Sequence, residues 1–214
     1  MQRLVEPEII DQLPPDHPDV VRSRRDLKMI NFLMGNERWI ARKIRAFPAA
    51  LGRGVIEIGA GEGTLLASLA RKHPGISLRG CDLAPRPAGL PAAIAWDQRD
   101  VFEVLSEVSG GGVLAGNLFL HHFEDHELPR FTPLLQKFEV LAFNEPFRTQ
   151  QTIRDATMML PLVGRATKHD MLVSIRAGFT HGELPRLLGL DPAQWRISEE
   201  TTWRGGIRML ASRT

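Results

Sequence analysis

The 214-residue chain contains no tyrosine, so no phenol is on hand as a catalytic base. It has a single cysteine, Cys81. One thiol makes no internal disulfide and no cysteine-type metal cluster, and it suits a reducing cytoplasm. No metal-ligand set is expected elsewhere in the chain. Long apolar runs are missing. Stretches such as Leu65–Ala70 are far too short to span a bilayer. The opening residues, Met1–Glu8, carry neither the basic start nor the apolar centre of a signal peptide. Excess charge is lacking too. Lys and Arg number 27 against 25 Asp and Glu, a net charge of +2, and the basic residues are dispersed. That argues against nucleic acid as a partner, despite a pI near 9.0.

What is present is ordinary for a globular protein, with 43% hydrophobic and 24% charged residues. The length suits one α/β domain with an added segment. Residues 1–21 are proline-rich and acidic and read as an extended lead-in or lid. Ser23 is the expected N-cap of a helix through Leu27, Ile30 and Leu33 that ends at Gly35. Asn36 is the expected cap of a second, with Trp39, Ile40, Ile44 and Phe47 inward and Arg38, Arg42 and Arg45 outward, stopped by Pro48.

From residue 54 strands and helices alternate. Strands are expected at 54–58, 76–82, 92–96, 113–117 and 139–144, with helices at 62–72, 101–108 and 124–136 between them. Such alternation predicts a parallel, doubly wound sheet with right-handed crossovers. Residues 150–164 read as a helix carrying Met158, Met159, Leu160, Leu162 and Val163, and Asp170–Ala177 as a second. Thr180 with Glu183 reads as a capping box. Strands at 195–198 and 207–212 close the chain as a hairpin.

The chemistry gathers on the run Gly54–Leu66. A β-branched strand ends in Gly59, Gly61 and Gly63, and helical spacing resumes at Leu65. A glycine turn of this kind frees backbone N–H groups and lets a ligand approach the main chain. The pattern Glu57-Ile58-Gly59-Ala60-Gly61-Glu62-Gly63 resembles the first motif of class I S-adenosylmethionine (SAM)-dependent methyltransferases, acidic-x-Gly-x-Gly-x-Gly. A dinucleotide fingerprint would want a glycine where Thr64 stands. The segment Gly116-Asn117-Leu118-Phe119-Leu120-His121-His122-Phe123 is similar to the corresponding stretch of the ubiquinone/menaquinone-biosynthesis-like small-molecule methyltransferases.

The resemblance implies a Rossmann-like sheet of seven strands in the order 3-2-1-4-5-7-6 with the last antiparallel, an N-terminal helical cap over 1–52, and a methyltransferase domain over 53–214 whose 148–190 region is a substrate-side helical insertion. It implies that Glu57 draws the methionyl ammonium of SAM, and that Gly59, Ala60, Gly61 and Gly63 run beneath the cofactor. Asp82 would bind the ribose, with Leu83 on the adenine face. Asp100 and Val101 would meet the adenine, with Asp97 a nearby alternative, and Asn117 the methionine and methyl.

His121 or His122 is the candidate general base, since imidazole titrates near neutrality. His169-Asp170 is a further base-plus-orienter pair. Asn144-Glu145-Pro146-Phe147 reads as a substrate-side loop. Arg22, Arg24, Arg25 and Lys28 read as a solvated helix start or an anion contact. The expected partner is a small molecule, a phenolic or polyketide-like hydroxyl that Trp39 and the 158–163 cluster would suit. An RNA or protein methyltransferase, or a non-catalytic SAM- or dinucleotide-binding module, are the alternatives. Oligomeric state is not specified.

Overall fold

The computed structural model describes residues 1–14, 17–159 and 163–214. One sheet holds seven strands: β1 (Val55–Ile58), β2 (Leu78–Asp82), β3 (Ala95–Gln98), β4 (Val113–Asn117), β5 (Val140–Pro146), β6 (Trp195–Thr201) and β7 (Gly206–Arg213). Their spatial order is β3-β2-β1-β4-β5-β7-β6. The first five run parallel, and β7 is antiparallel to both β5 and β6. This is the doubly wound sheet that the strand–helix alternation predicts, in the predicted order.

The central strands are apolar on both faces, as a sheet covered on both sides requires. Alternation sends Leu114, Leu141 and Phe143 into one core with Phe131, Phe138, Phe179 and Trp195. Val113, Ala115, Val140 and Ala142 enter the other, against Leu65, Leu66 and Leu69. That second core also takes Trp39, Ile40 and Ile44. These come from α3 (Asn36–Ile44), which follows α1 (Ile9–Gln12) and α2 (Pro18–Met34). Its Arg38, Arg42 and Arg45 face solvent, as the spacing predicts.

Several boundaries depart from the sequence reading. α2 starts at Pro18 rather than after Ser23. Proline at the first helical position loses no hydrogen bond, and the His17 ring accepts from the Asp19 amide at 3.2 Å. Ser23 lies buried inside the helix, with the Thr167 hydroxyl 3.2 Å away. Its end at Gly35 agrees, in the left-handed conformation (φ 67°). α3 ends at Ile44, short of Pro48, which opens α4 (Pro48–Arg53) instead of stopping a helix. β3 begins three residues later than expected, where Trp96 can donate to the Ala84 carbonyl at 3.2 Å.

α5 (Thr64–Lys72) and α6 (Val101–Glu107) lie close to expectation. Residues 124–136 do not form one helix. Pro129 and Pro133 each remove a donor, leaving a 3-10 turn at Leu128–Phe131 and the single turn α7 (Thr132–Leu135). β5 continues through Glu145 and Pro146 because Ile207 and Gly206 of β7 pair with them, so that tetrapeptide begins as buried strand, not loop. α8 spans Gln150–Met159; Leu160 and Leu162 of the expected apolar cluster lie outside the described residues. α9 (Arg165–Ala177) begins five residues early, and α10 (Glu183–Leu187) follows a turn in which Glu183 accepts from the Thr180 amide at 2.9 Å.

The end of α9 is pressed against β5. A methyl group on Gly178 would lie 2.2 Å from the Pro146 carbonyl oxygen. Gly178→Ala is therefore expected to destabilise the protein by about 1–3 kcal/mol. Gly89→Ala, where a methyl meets nothing within 4 Å, should stay within about 0.5 kcal/mol of wild type in the same urea titrations.

Candidate functional site

Because the first five strands are parallel, their carboxyl ends share one edge of the sheet. Ile58, Cys81 and Asp97 stand in register across β1, β2 and β3. Gly116 lies beside Ile58, and Asn144 beside Asn117. An edge of this kind, at the point where strand order reverses, is where open α/β sheets bind ligands.

The glycine bend leaves β1 there. Gly59, Gly61 and Gly63 all adopt positive φ (60°, 51° and 65°). They do different work. A Cβ on Gly59 would come within 2.2 Å of the Phe119 ring, and one on Gly63 within 2.6 Å of Leu90, so both permit close packing. A Cβ on Gly61 would meet nothing within 4 Å. The crown of the bend therefore faces open space. Its amide donates to Asp82 Oδ2 at 2.7 Å, while Asp82 Oδ1 accepts from Ala84 N–H at 2.8 Å. The buried Ala60 donates to the Cys81 carbonyl at 3.2 Å. The bend and the end of β2 are one tied unit.

Asp100 caps α6, its Oδ1 accepting from the amides of Phe102 (2.8 Å) and Glu103 (3.4 Å). Val101 is buried behind it, and Leu83 is 74% exposed. Burial first, then Asp97, Asp82 and Asp100, push the Cys81 thiol up to about 12. Those three carboxylates thus ring one end of the sheet.

Glu57 is the anomaly. It is only 3% exposed, and its Oε2 has no hydrogen-bond partner among the described residues. Burial raises its pKa well above the ordinary carboxylate value, and the nearby charges of Glu37 and Asp82 raise it further. The Leu66 amide, in the first turn of α5, works the other way. Glu37 comes from α3 and is held by the Thr64 hydroxyl. Three carboxylates therefore converge on the bend. Among the described residues, none of the ion pairs includes Glu57, Glu37 or Asp82.

Beyond β4 the backbone is held in an unusual shape. Leu118 has φ 56°, rare for a side chain of its size. The fully buried Glu145 holds the turn that follows. Its Oε1 accepts from the amides of Phe119 (3.2 Å) and Leu120 (2.8 Å). Oε2 accepts from the His121 amide (3.3 Å) and faces His121 Nδ1 at 2.8 Å. Asn117, just before, keeps a buried Oδ1 without a partner among the described residues.

His121 is buried between two carboxylates, Glu145 and, 3.8 Å from its Nε2, Glu8. Burial opposes its charge, but Glu145 and Glu8 lift its pKa to about 9. The His122 ring lies 4.3 Å from it, centroid to centroid, and is pushed down to about 4 by desolvation and by the His121 charge. The His122 side chain is exposed to solvent. A cavity of about 340 Å³ opens beside the pair, lined by Val5, Glu8, His122, Val173 and Ser174.

The N-terminal segment closes over this region. Arg3 donates to the carbonyls of Ala177 (2.7 Å), Phe123 (2.8 Å) and His121 (3.1 Å), and lies over the Phe179 ring. Asp170 accepts from the amides of Ile9 (2.7 Å) and Ile10 (3.3 Å). The His169-Asp170 pair is thus an anchor for α1, with His169 Nδ1 3.1 Å from Asp170.

Other expectations change as well. Trp39 is a core residue, only 3% exposed, and cannot line an open acceptor pocket; Met158 is 73% exposed and Val163 is buried. Arg22, Arg25 and Lys28 are exposed, the solvated reading of that cluster. Glu8 and Glu37 were not among the sequence candidates, and Glu145 entered only as part of the substrate-side loop expected at 144–147. Of the three, Glu145 left a signal, as a charged residue directly after the apolar run Val140–Phe143 and Asn144.

No protein-family model and no curated protein sequence matches the chain. Solved structures share its fold. The plantazolicin methyltransferase BpumL, in complex with a triazolic desmethylplantazolicin analogue and S-adenosylhomocysteine (SAH), superposes with a TM-score of 0.74 at 13% identity over 92% of each chain. Magnesium protoporphyrin IX methyltransferase from Synechocystis PCC 6803, with bound SAH, gives 0.55 at 16% identity, over 83% of this chain and 82% of that one. An O-methyltransferase family protein from Burkholderia thailandensis gives 0.58 at 17% identity, over 92% of this chain and 61% of that one.

Glu57 yields a test of its electrostatics. Its folded pKa lies above the unfolded value of about 4.3, so the folded state holds the extra proton. Stability should then fall as pH rises from about 4.3 through the folded pKa. Glu57→Gln keeps an acceptor for the Leu66 amide and removes the charge. Thermal melts of the ligand-free variant should show higher stability than wild type at pH 8 and a smaller gap at pH 5. A lower melting temperature at pH 8 would contradict this picture of the site.

Proposed function

We propose that this protein is a SAM-dependent methyltransferase acting on a small molecule. The observation that carries the reading is the buried Glu57 carboxylate, whose Oε2 has no hydrogen-bond partner among the described residues, grouped with Glu37 and Asp82 around a glycine bend whose crown is open. That arrangement lacks a cation, and SAM brings an ammonium and a sulfonium. The fold, shared with proteins solved with SAH or SAM, supports the same reading.

When bound, SAM supplies an activated methyl group. The chain's own contribution is placement. Glu57 would hold the ammonium, and its buried setting strengthens the attraction. Gly59, Ala60, Gly61 and Gly63 would underlie the cofactor. Asp82 would take the ribose hydroxyls, trading or sharing its bonds to the Gly61 and Ala84 amides. Leu83, Asp100 and Val101 would frame the adenine, and the free Asn117 oxygen would complete the methionine end. Little bond-making is asked of the protein beyond alignment of acceptor and methyl.

The acceptor is a small molecule entering beside His122, and a phenolic or polyketide-like hydroxyl is our choice. Support comes from the cavity next to the histidine pair, where an imidazole edge can take up a hydroxyl proton. Glu145 positions that edge indirectly by fixing the turn. A cytoplasmic setting fits the single, buried, free cysteine. Among the described residues, no helix is long and apolar enough to cross a membrane.

Two measurements test this. Gly61→Arg projects a side chain into the open crown at a backbone cost of about 1–2 kcal/mol. It should remove SAH binding in calorimetry while the variant stays folded; retained affinity would displace the cofactor from the bend. Screening acceptors with methyl-labelled SAM should label phenolic compounds, and His122→Ala should lower kcat/KM by about 10²-fold or more. Labelling of RNA or protein alone would refute the acceptor assignment.

A further inference from the structure

We propose that Glu8, His121 and His122 form a binding site for one divalent transition-metal ion, which would pin the N-terminal segment to the turn after β4. The three side chains offer one carboxylate oxygen and two imidazole nitrogens, all within 4.8 Å of one another. His121 Nε2 and Glu8 Oε1 stand 3.8 Å apart, too far for a hydrogen bond. Two atoms at that separation can share an ion whose bonds are about 2.0–2.2 Å long.

Both inner ligands are already held by neighbouring side chains, His121 at its far nitrogen and Glu8 at the oxygen that faces His121. Glu145 engages His121 Nδ1 at 2.8 Å, which leaves Nε2 to face Glu8. The Ser174 hydroxyl donates to Glu8. His122 stacks beside His121 and completes a two-histidine, one-carboxylate set, a donor combination suited to zinc, cobalt or iron. The adjoining cavity of about 340 Å³ leaves room for water or an oxygen ligand at an open coordination position. Neither ligand set nor cavity involves the glycine bend, so the site does not rest on SAM binding; it shares His122 and the cavity with the proposed acceptor site, and with the ion in place a metal-bound water, not the ligated imidazole, would take the acceptor proton.

The test uses the full-length protein, stripped by a chelator and titrated with Co²⁺ at pH 7.5 while the visible d–d absorption is read. One Co²⁺ per chain should bind, and Zn²⁺ should displace it. Glu8→Gln and His122→Ala should each weaken binding by about tenfold or more. Zn²⁺ should raise the melting temperature of wild type and leave those variants unmoved. In wild type, Zn²⁺ should shift the imidazole NMR signals of His121 and His122 before those of His126 and His181, a readout that needs no variant to fold. No saturable binding would overturn the proposal. So would binding that both variants retain in full, or shifts confined to the other histidines.

Discussion

A carboxylate buried without a cation governs the working edge of this sheet. Glu57 sits in β1, a strand covered on both faces, in register with the small residues Gly80 and Ala115. It has nowhere to turn but toward the start of α5. The helix end offers the Leu66 amide and a favourable dipole, but no full positive charge. Glu37 and Asp82 make the deficit worse. A site so built is costly alone, and the cost is relieved when a cation enters.

Glu145 shows the opposite solution a short way along the same edge. It is as deeply buried, yet four N–H groups converge on its two oxygens. That saturation holds the strained Leu118 turn and aims His121 and His122. One carboxylate is satisfied and shapes the scaffold; the other keeps an oxygen without a partner among the described residues. The N-terminal segment, tied down by Arg3 and by Asp170, covers the histidine side.

The central strands were legible because their signals are local: apolar runs, a glycine turn, and acids at strand ends; their spatial order is what the methyltransferase resemblance implied. The glycine bend and Asp82 could be placed from the methyltransferase resemblance. Their division of labour could not, since only the fold brings Phe119 against Gly59 and Leu90 against Gly63. Glu8 meets His121 from more than a hundred residues away, and Glu37 meets Thr64 from another helix, so no window of sequence contains either contact. Trp39 was misjudged because a helix face that covers the sheet and one that lines a pocket have the same periodicity. Pro18 and Pro48 were underweighted as helix openers.

The central claim is that Glu57 awaits a positive charge carried by the cofactor. The most direct measurement compares, by calorimetry on the wild-type protein, SAH with an otherwise identical analogue that lacks the α-amino group. The account predicts one bound SAH per chain and an affinity for the analogue weaker by about tenfold or more, the size of a charge-assisted contact of roughly 1.5–3 kcal/mol. Equal affinities for the two compounds, or no binding of either, would contradict it.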